Sequence, residues 1–201
     1  MRYWQKLIIV FLFVILFSSF TYGQPKITRS SGGSIKTELG YGIILNRESS
    51  LEREWITIHD DSIPADLVGT VGVRTIYEEG GRYSSGGYRY TANYTIKAME
   101  ALTAFEVRFL LFDIWGNHIR TLSATGIIDL KAGETRSFDA EWILYSENEA
   151  SEYYASIAYI AQVRTKSGRV IKANPKVVIK EARKFSSKFA VSDLEPKPEK
   201  K

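Results

Sequence analysis

Cysteine is absent from the 201 residues, and histidine occurs only twice. Without a thiol the chain has no disulfide framework, no thiolate nucleophile and no sulfur to carry a lipid anchor behind a leader. That absence leaves the redox compartment open, because exported proteins are permitted disulfides but do not require them. Also missing is any apolar 3.6-residue period long enough to build βαβ units, so a parallel α/β fold is excluded. No G-x-S-x-G elbow supplies a serine nucleophile. The glycines of 80–87 are not followed by the helix and lysine that a phosphate-binding loop needs. Lysine and arginine are too sparse for a nucleic-acid footprint, and no nucleic-acid partner is expected.

What the chain has is alternation. Ala104 to Gly116 reads AFEVRFLLFDIWG, with Phe105, Val107, Phe109 and Leu111 at every second residue and Glu106 and Arg108 between them. This is the period of a half-buried strand, and the other segments are arranged around it. Tyr88 to Ala98 alternates more cleanly still, with Tyr88, Tyr90, Ala92, Tyr94, Ile96 and Ala98 on the face expected inside. Phe138, Ala140 and Trp142 repeat the pattern, as do Tyr153, Ala155, Ile157, Tyr159, Ala161 and Val163. Further strands are expected at Tyr41–Leu45, Trp55–Ile58, Leu67–Tyr77, His118–Leu122, Gly126–Leu130 and Arg169–Lys172. Ser146–Glu152 reads as a polar loop. The expectation is an all-β fold, an antiparallel immunoglobulin-like β-sandwich of seven to eight strands.

Four regions follow from composition. Residues 1–23 read as a secretory signal peptide: Arg2 and Lys6 precede an apolar run from Leu7 to Phe17, and Thr21-Tyr22-Gly23 ends in a small residue, which places cleavage before Gln24. If kept, the same stretch would be an N-terminal anchor. Residues 24–54 read as a loosely ordered arm rich in serine and glycine. Residues 55–173 form the sandwich, and 174–201 a basic tail ending in EPKPEKK. The expected location is periplasmic or extracellular.

Phe109-Leu110-Leu111-Phe112-Asp113 resembles the F-x-L-Y-D signature of bacterial extracytoplasmic immunoglobulin-like domains of the FxLYD type, with Phe112 where the pattern has tyrosine. Leu130 to Phe138, LKAGETRSF, is similar to the L-x-x-G-E-x-x-x-F turn and strand of such domains. The likeness runs over roughly Val68 to Lys172. It implies an immunoglobulin-like sandwich on an exported protein and supplies no catalytic residues.

For chemistry the residues offer little. His59-Asp60-Asp61 puts only His59 and Asp61 on one face of an extended backbone, too few for a metal, and reads as a polar loop. Asp139 and Glu141 alternate with apolar residues and read as a solvated strand face rather than an acid–base pair. No metal, cofactor or catalytic residue is expected. The positive case is for binding. Arg82, Tyr83, Ser84, Ser85 and Tyr88 among glycines have the composition of binding loops on sandwiches, where tyrosine gives rigid contact area and serine adaptable hydrogen bonds. Trp115, beside the turn after the central strand, is the sixth candidate. The expected function is an exported, non-catalytic module that binds a protein partner, through the loop or by strand addition at an edge. The alternatives are a carbohydrate-binding or accessory domain of an envelope enzyme, using exposed Trp115, and a structural subunit. Lys176, Lys180, Arg183, Lys184 and Lys188, interleaved with Val177, Phe185 and Phe189, fit either a solvated end or contact with anionic lipid.

Overall fold

The computed structural model describes residues 25–34, 51–78, 80, 86–144 and 147–197. The leader, the Tyr41–Leu45 segment and Arg82 to Ser85 lie outside the described residues.

Ten strands are described: β1 (Lys26–Ser34), β2 (Glu52–His59), β3 (Ala65–Leu67), β4 (Arg74–Glu78), β5 (Gly87–Ala98), β6 (Leu102–Asp113), β7 (His118–Leu130), β8 (Thr135–Ile143), β9 (Tyr153–Thr165) and β10 (Val170–Lys172). They form two sheets. One runs β1-β2-β9-β6-β7, with β10 also on β9; in the other, β3 and β4 flank one edge of β5 and β8 the other. The chain crosses between sheets from β2 to β3, from β5 to β6, from β7 to β8 and from β8 to β9, and turns back by hairpins at β6–β7 and β9–β10. With β4, β5 and β8 as A, B and E, and β7, β6, β9 and β10 as C′, C, F and G, this is the connectivity of an immunoglobulin-like sandwich.

One pairing departs from the all-antiparallel expectation. β2 runs parallel to β9, Glu54 opposite Ala155 through Ile58 opposite Tyr159, along the part of β9 that β10 leaves open. Nearly a hundred residues separate the two strands, so no hairpin dictates their relative direction.

The alternating residues meet between the sheets. Tyr90, Tyr94 and Ile96 of β5 pack with Phe105, Val107, Phe109 and Leu111 of β6, and with Tyr153, Ile160 and Val163 of β9. The aromatic rings interlock edge to face, Tyr94 with Phe109 at 5.9 Å and Phe109 with Trp142 at 5.3 Å.

A second core lies on the opposite face of the larger sheet, and the sequence reading did not contain it. Ile56, Ile58, Leu110, Phe112, Ala155 and Ile157 point away from the sandwich interior and are covered by the C-terminal segment. Asn174 caps helix α2 (Pro175–Ala182) by accepting the Lys176 N–H, and Pro175 opens it, both favourable choices for a helix start. Val178 and Ala182 of α2, then Phe189, then Leu194 of a 3₁₀ turn (Val191–Leu194), close over the sheet. Phe112 stacks on Phe185 with centroids 5.3 Å apart. The domain therefore has three layers. The segment expected as a basic tail is its third layer up to Leu194, and the arm expected to be loose runs as β1 over Lys26–Ser34.

Local readings shift in the same way. Leu67–Tyr77 is two short strands separated by Val68–Val73, with Gly69 at φ 77°; His118–Leu130 is one strand rather than two. The loop after β8 contains helix α1 (Glu147–Glu152).

Candidate functional site

The β6–β7 turn is built by Asp113. Its Oδ1 accepts the backbone N–H groups of Trp115 at 2.9 Å and Asn117 at 2.7 Å, and its Oδ2 accepts from Asn117 Nδ2 at 2.9 Å. The Asp113 N–H donates to the Asn117 carbonyl, and Gly116 takes φ 82° to close the loop. Behind the turn, the Ile114 N–H donates to the Glu152 carbonyl at 3.0 Å. Trp115 is left on a fastened backbone with its indole 71% exposed.

The same end of the sandwich gathers the β4–β5 and β8–β9 connections. Glu78 and Gly87 are register partners, so the candidate loop between them leaves and re-enters there. The Leu144 N–H donates to the Tyr88 carbonyl, and the Tyr90 hydroxyl donates to the Glu149 carbonyl of α1 at 2.8 Å. Tyr77 (50% exposed) and Ile143 (52%) bring further apolar surface to this end, and Ile114 is also exposed. Sequence reading missed these three. Ile143 extends the alternation of β8 by one residue past Trp142, a signal that was available; Tyr77 and Ile114 had none beyond being apolar at element ends.

Of the six residues expected to bind, Trp115 is presented to solvent, and Arg82, Tyr83, Ser84 and Ser85 lie outside the described residues. Tyr88 is a correction. It is 7% exposed and its ring packs against Tyr77 at 4.7 Å, because it starts the inward-facing alternation of β5. It is buried at the start of β5 and is no contact residue.

Elsewhere the polar groups are committed to structure. His59 does not work with Asp61. Its Nδ1 lies 2.6 Å from Asp66 Oδ1 and its Nε2 3.0 Å from Thr28 Oγ1, which ties β1, β2 and β3 together. Asp60 accepts the Ser62 N–H and, across the chain, the Asn174 N–H. Among the described residues no three metal-ligating side chains converge. Burial pushes the Tyr90 hydroxyl up, and the Tyr153 hydroxyl up to about 12; Tyr153 donates to the Val73 carbonyl at 2.9 Å.

On the outer face of the larger sheet, Arg108 Nε donates to Glu106 (2.7 Å), Gln162 donates to Glu106 (2.6 Å), and Arg108 Nη1 donates to the Leu194 carbonyl and Glu195. Burial works against the Arg108 charge, but the hydrogen bonds it donates to Glu106 and Glu195 outweigh it and hold the guanidinium above its ordinary value. Beside this network is an open depression of about 200 Å³ lined by Ala104, Phe105, Glu106, Thr125, Gln162, Val163, Arg164 and Val170. Glu106, its one carboxylate, is already engaged by Arg108 and Gln162, so the depression lacks an available acid or base.

No family model matches the chain, and no curated protein matches it. Among solved structures it is similar to a hypothetical protein from Peptoclostridium difficile 630, at 10% identity and a TM-score of 0.43, over 67% of this chain and 98% of that one. No helix among the described residues is long and apolar enough to cross a membrane.

Proposed function

We propose that this chain is an exported, non-catalytic immunoglobulin-like module that docks a protein partner with the end of the sandwich carrying Trp115. The observation that carries the reading is the exposed indole on a turn whose backbone Asp113 already holds. A large amphipathic side chain with few rotors loses little entropy on binding, and a pre-set turn loses little more, which is how tryptophan becomes a dominant contact at interfaces. Tyr77, Ile114 and Ile143 supply apolar surface at that end. The export part rests on residues 1–23, and membership of the FxLYD-type domains on Phe109–Asp113 and Leu130–Phe138.

The test is cross-linked co-purification of the protein from its envelope fraction, with mass spectrometry of its N-terminus and of whatever accompanies it. A chain beginning at Gln24 with a reproducible protein partner supports the reading; one beginning at Met1 turns the leader into an anchor. Trp115→Ala is expected to weaken that partner by about 2 kcal/mol, roughly thirtyfold in affinity. Unchanged recovery of the partner would discard this end as the docking site. The exposed indole equally favours a second reading, stacking on a sugar ring. Quenching of Trp115 fluorescence by glycans, with no protein recovered, would select it.

A further inference from the structure

From Lys172 to Ala190 the outer surface of the C-terminal layer is basic, with carboxylates at its margins in Asp60, beside the start of α2, and in Asp193 and Glu195. Between Lys172 and Ala190 there are six basic residues, Lys172, Lys176, Lys180, Arg183, Lys184 and Lys188, and all six are exposed. The single carboxylate of that stretch, Glu181, is turned inward, its side chain 4% exposed and held by Arg29 and Lys184. The cause is the helix period. Val178, Glu181 and Ala182 face the sheet, so Lys176, Lys180 and Lys184, at steps of four, are left outside. β1 is bound to α2 through Arg29 and Glu181; it adds exposed Lys26 and Arg29 and contains no carboxylate. Solubility alone is served by charges of mixed sign, as on the outer face of the smaller sheet, where Arg89 and Lys97 of β5 stand beside Asp139 and Glu141 of β8. A face whose carboxylates are buried or confined to its margins calls for an anionic counterpart.

We propose that this face rests on an anionic lipid surface. Four to eight clustered Lys and Arg on an amphipathic helix is the pattern that anionic headgroups attract, each contributing roughly a fivefold gain in partition near the surface. Val177 and Ile179 are half-buried in the second core, so α2 has little apolar surface to insert. The contact is therefore peripheral, electrostatic and weakened by salt. It uses different residues from the Trp115 reading and stands or falls separately.

The test reads the face itself, so that an uncut leader inserted in every vesicle does not obscure it. The full chain is acylated with an amine-reactive reagent in the presence of phosphatidylcholine vesicles, with or without phosphatidylglycerol, and lysine labelling is read by mass spectrometry. With phosphatidylglycerol, labelling of Lys172, Lys176, Lys180, Lys184 and Lys188 is expected to fall several-fold and to recover at molar salt. Lys97 and Lys131, which lie on the other sheet and its connecting turn, should stay unchanged. The triple variant Lys176→Glu, Lys180→Glu, Lys188→Glu alters only exposed positions. It should lose the protection at Lys172 and Lys184 with its thermal transition unmoved. Labelling that ignores phosphatidylglycerol overturns the proposal. So does equal protection on both vesicles, or protection that survives in the triple variant.

Discussion

Gly116 shows how closely the exposed turn is tied to the layer behind it. At φ 82° an L side chain is strained, and a Cβ there would come 2.9 Å from the Phe185 carbonyl oxygen. Gly133 in the β7–β8 turn has nearly the same φ, 81°, but nothing within 4 Å of such a Cβ. The two positions separate conformational strain from collision. Gly133→Ala is expected to cost about 1 kcal/mol and Gly116→Ala about 1–2 kcal/mol more, both read from urea midpoints at constant slope. Equal losses would mean that the Phe185 backbone moves aside freely. At this scale the sequence was legible where a residue's neighbours in the chain set its role, as with the turn expected beside Trp115, which Gly116 closes. It was illegible where the partner is remote: His59 answers to Asp66 and Thr28 across three strands, not to the Asp61 beside it.

Among elements, β5, β6 and β8 could be read because each has one face in the inter-sheet core, and burial on one face imposes a period of two. In β9, register shifts against β6 leave Tyr153 and Val163 inside but turn Ala155, Ile157, Tyr159 and Ala161 to the second core, against the single inward face expected. Leu110 and Phe112 break that period in β6, as the whole Phe109–Phe112 run is buried. A strand covered on both faces loses its alternation, and the cover comes from a segment more than sixty residues later. β1 carried no apolar pattern at all, with Ile27 its one residue on the second core, so its pairing to β2 left no trace in composition.

The third layer has its own pH response. His118 packs edge-on to Phe189 at 4.9 Å and against Phe112, and burial pushes its imidazole below the usual value near 6.5. Protons then bind the opened state more readily than the closed one, so stability contributed by this site falls as the pH drops below about 6.5. Asp193, held below the usual carboxylate range by the Ala190 N–H, keeps its contribution above its unfolded value and loses it only as the pH falls further, through its folded value. Amide exchange at Phe189, whose N–H donates to Ser186, should therefore quicken between pH 7 and 5.5 after correction for intrinsic rates. Val107 in the inner core should not change. A His118→Asn variant should abolish the difference, and exchange that is flat with pH in the unmodified protein would refute it.

For the whole molecule the question is whether the sandwich stands without its third layer. The inner core is complete in itself, with both sheets and the aromatic cluster contributed by residues before Ala173. The outer face is not, because Ile56, Ile58, Leu110, Phe112 and Ile157 depend on α2 and the residues after it for cover. Ending the chain at Ala173 would uncover these five fully or almost fully buried side chains on one sheet, a contiguous apolar surface of the kind that drives association. The same truncation removes eight basic and four acidic residues, leaving residues 24–173 with 17 basic against 19 acidic, and adds nothing to cover the sheet. The expected outcome is a chain that keeps a β-sheet circular dichroism spectrum but binds an apolar dye and self-associates in sedimentation. Replacing Phe112 and Leu110 by threonine in that truncated chain should reduce the association. Were the truncated chain monomeric and dye-silent, the outer layer would be an appendage, and the burial of Phe109–Phe112 on both faces would need another cause.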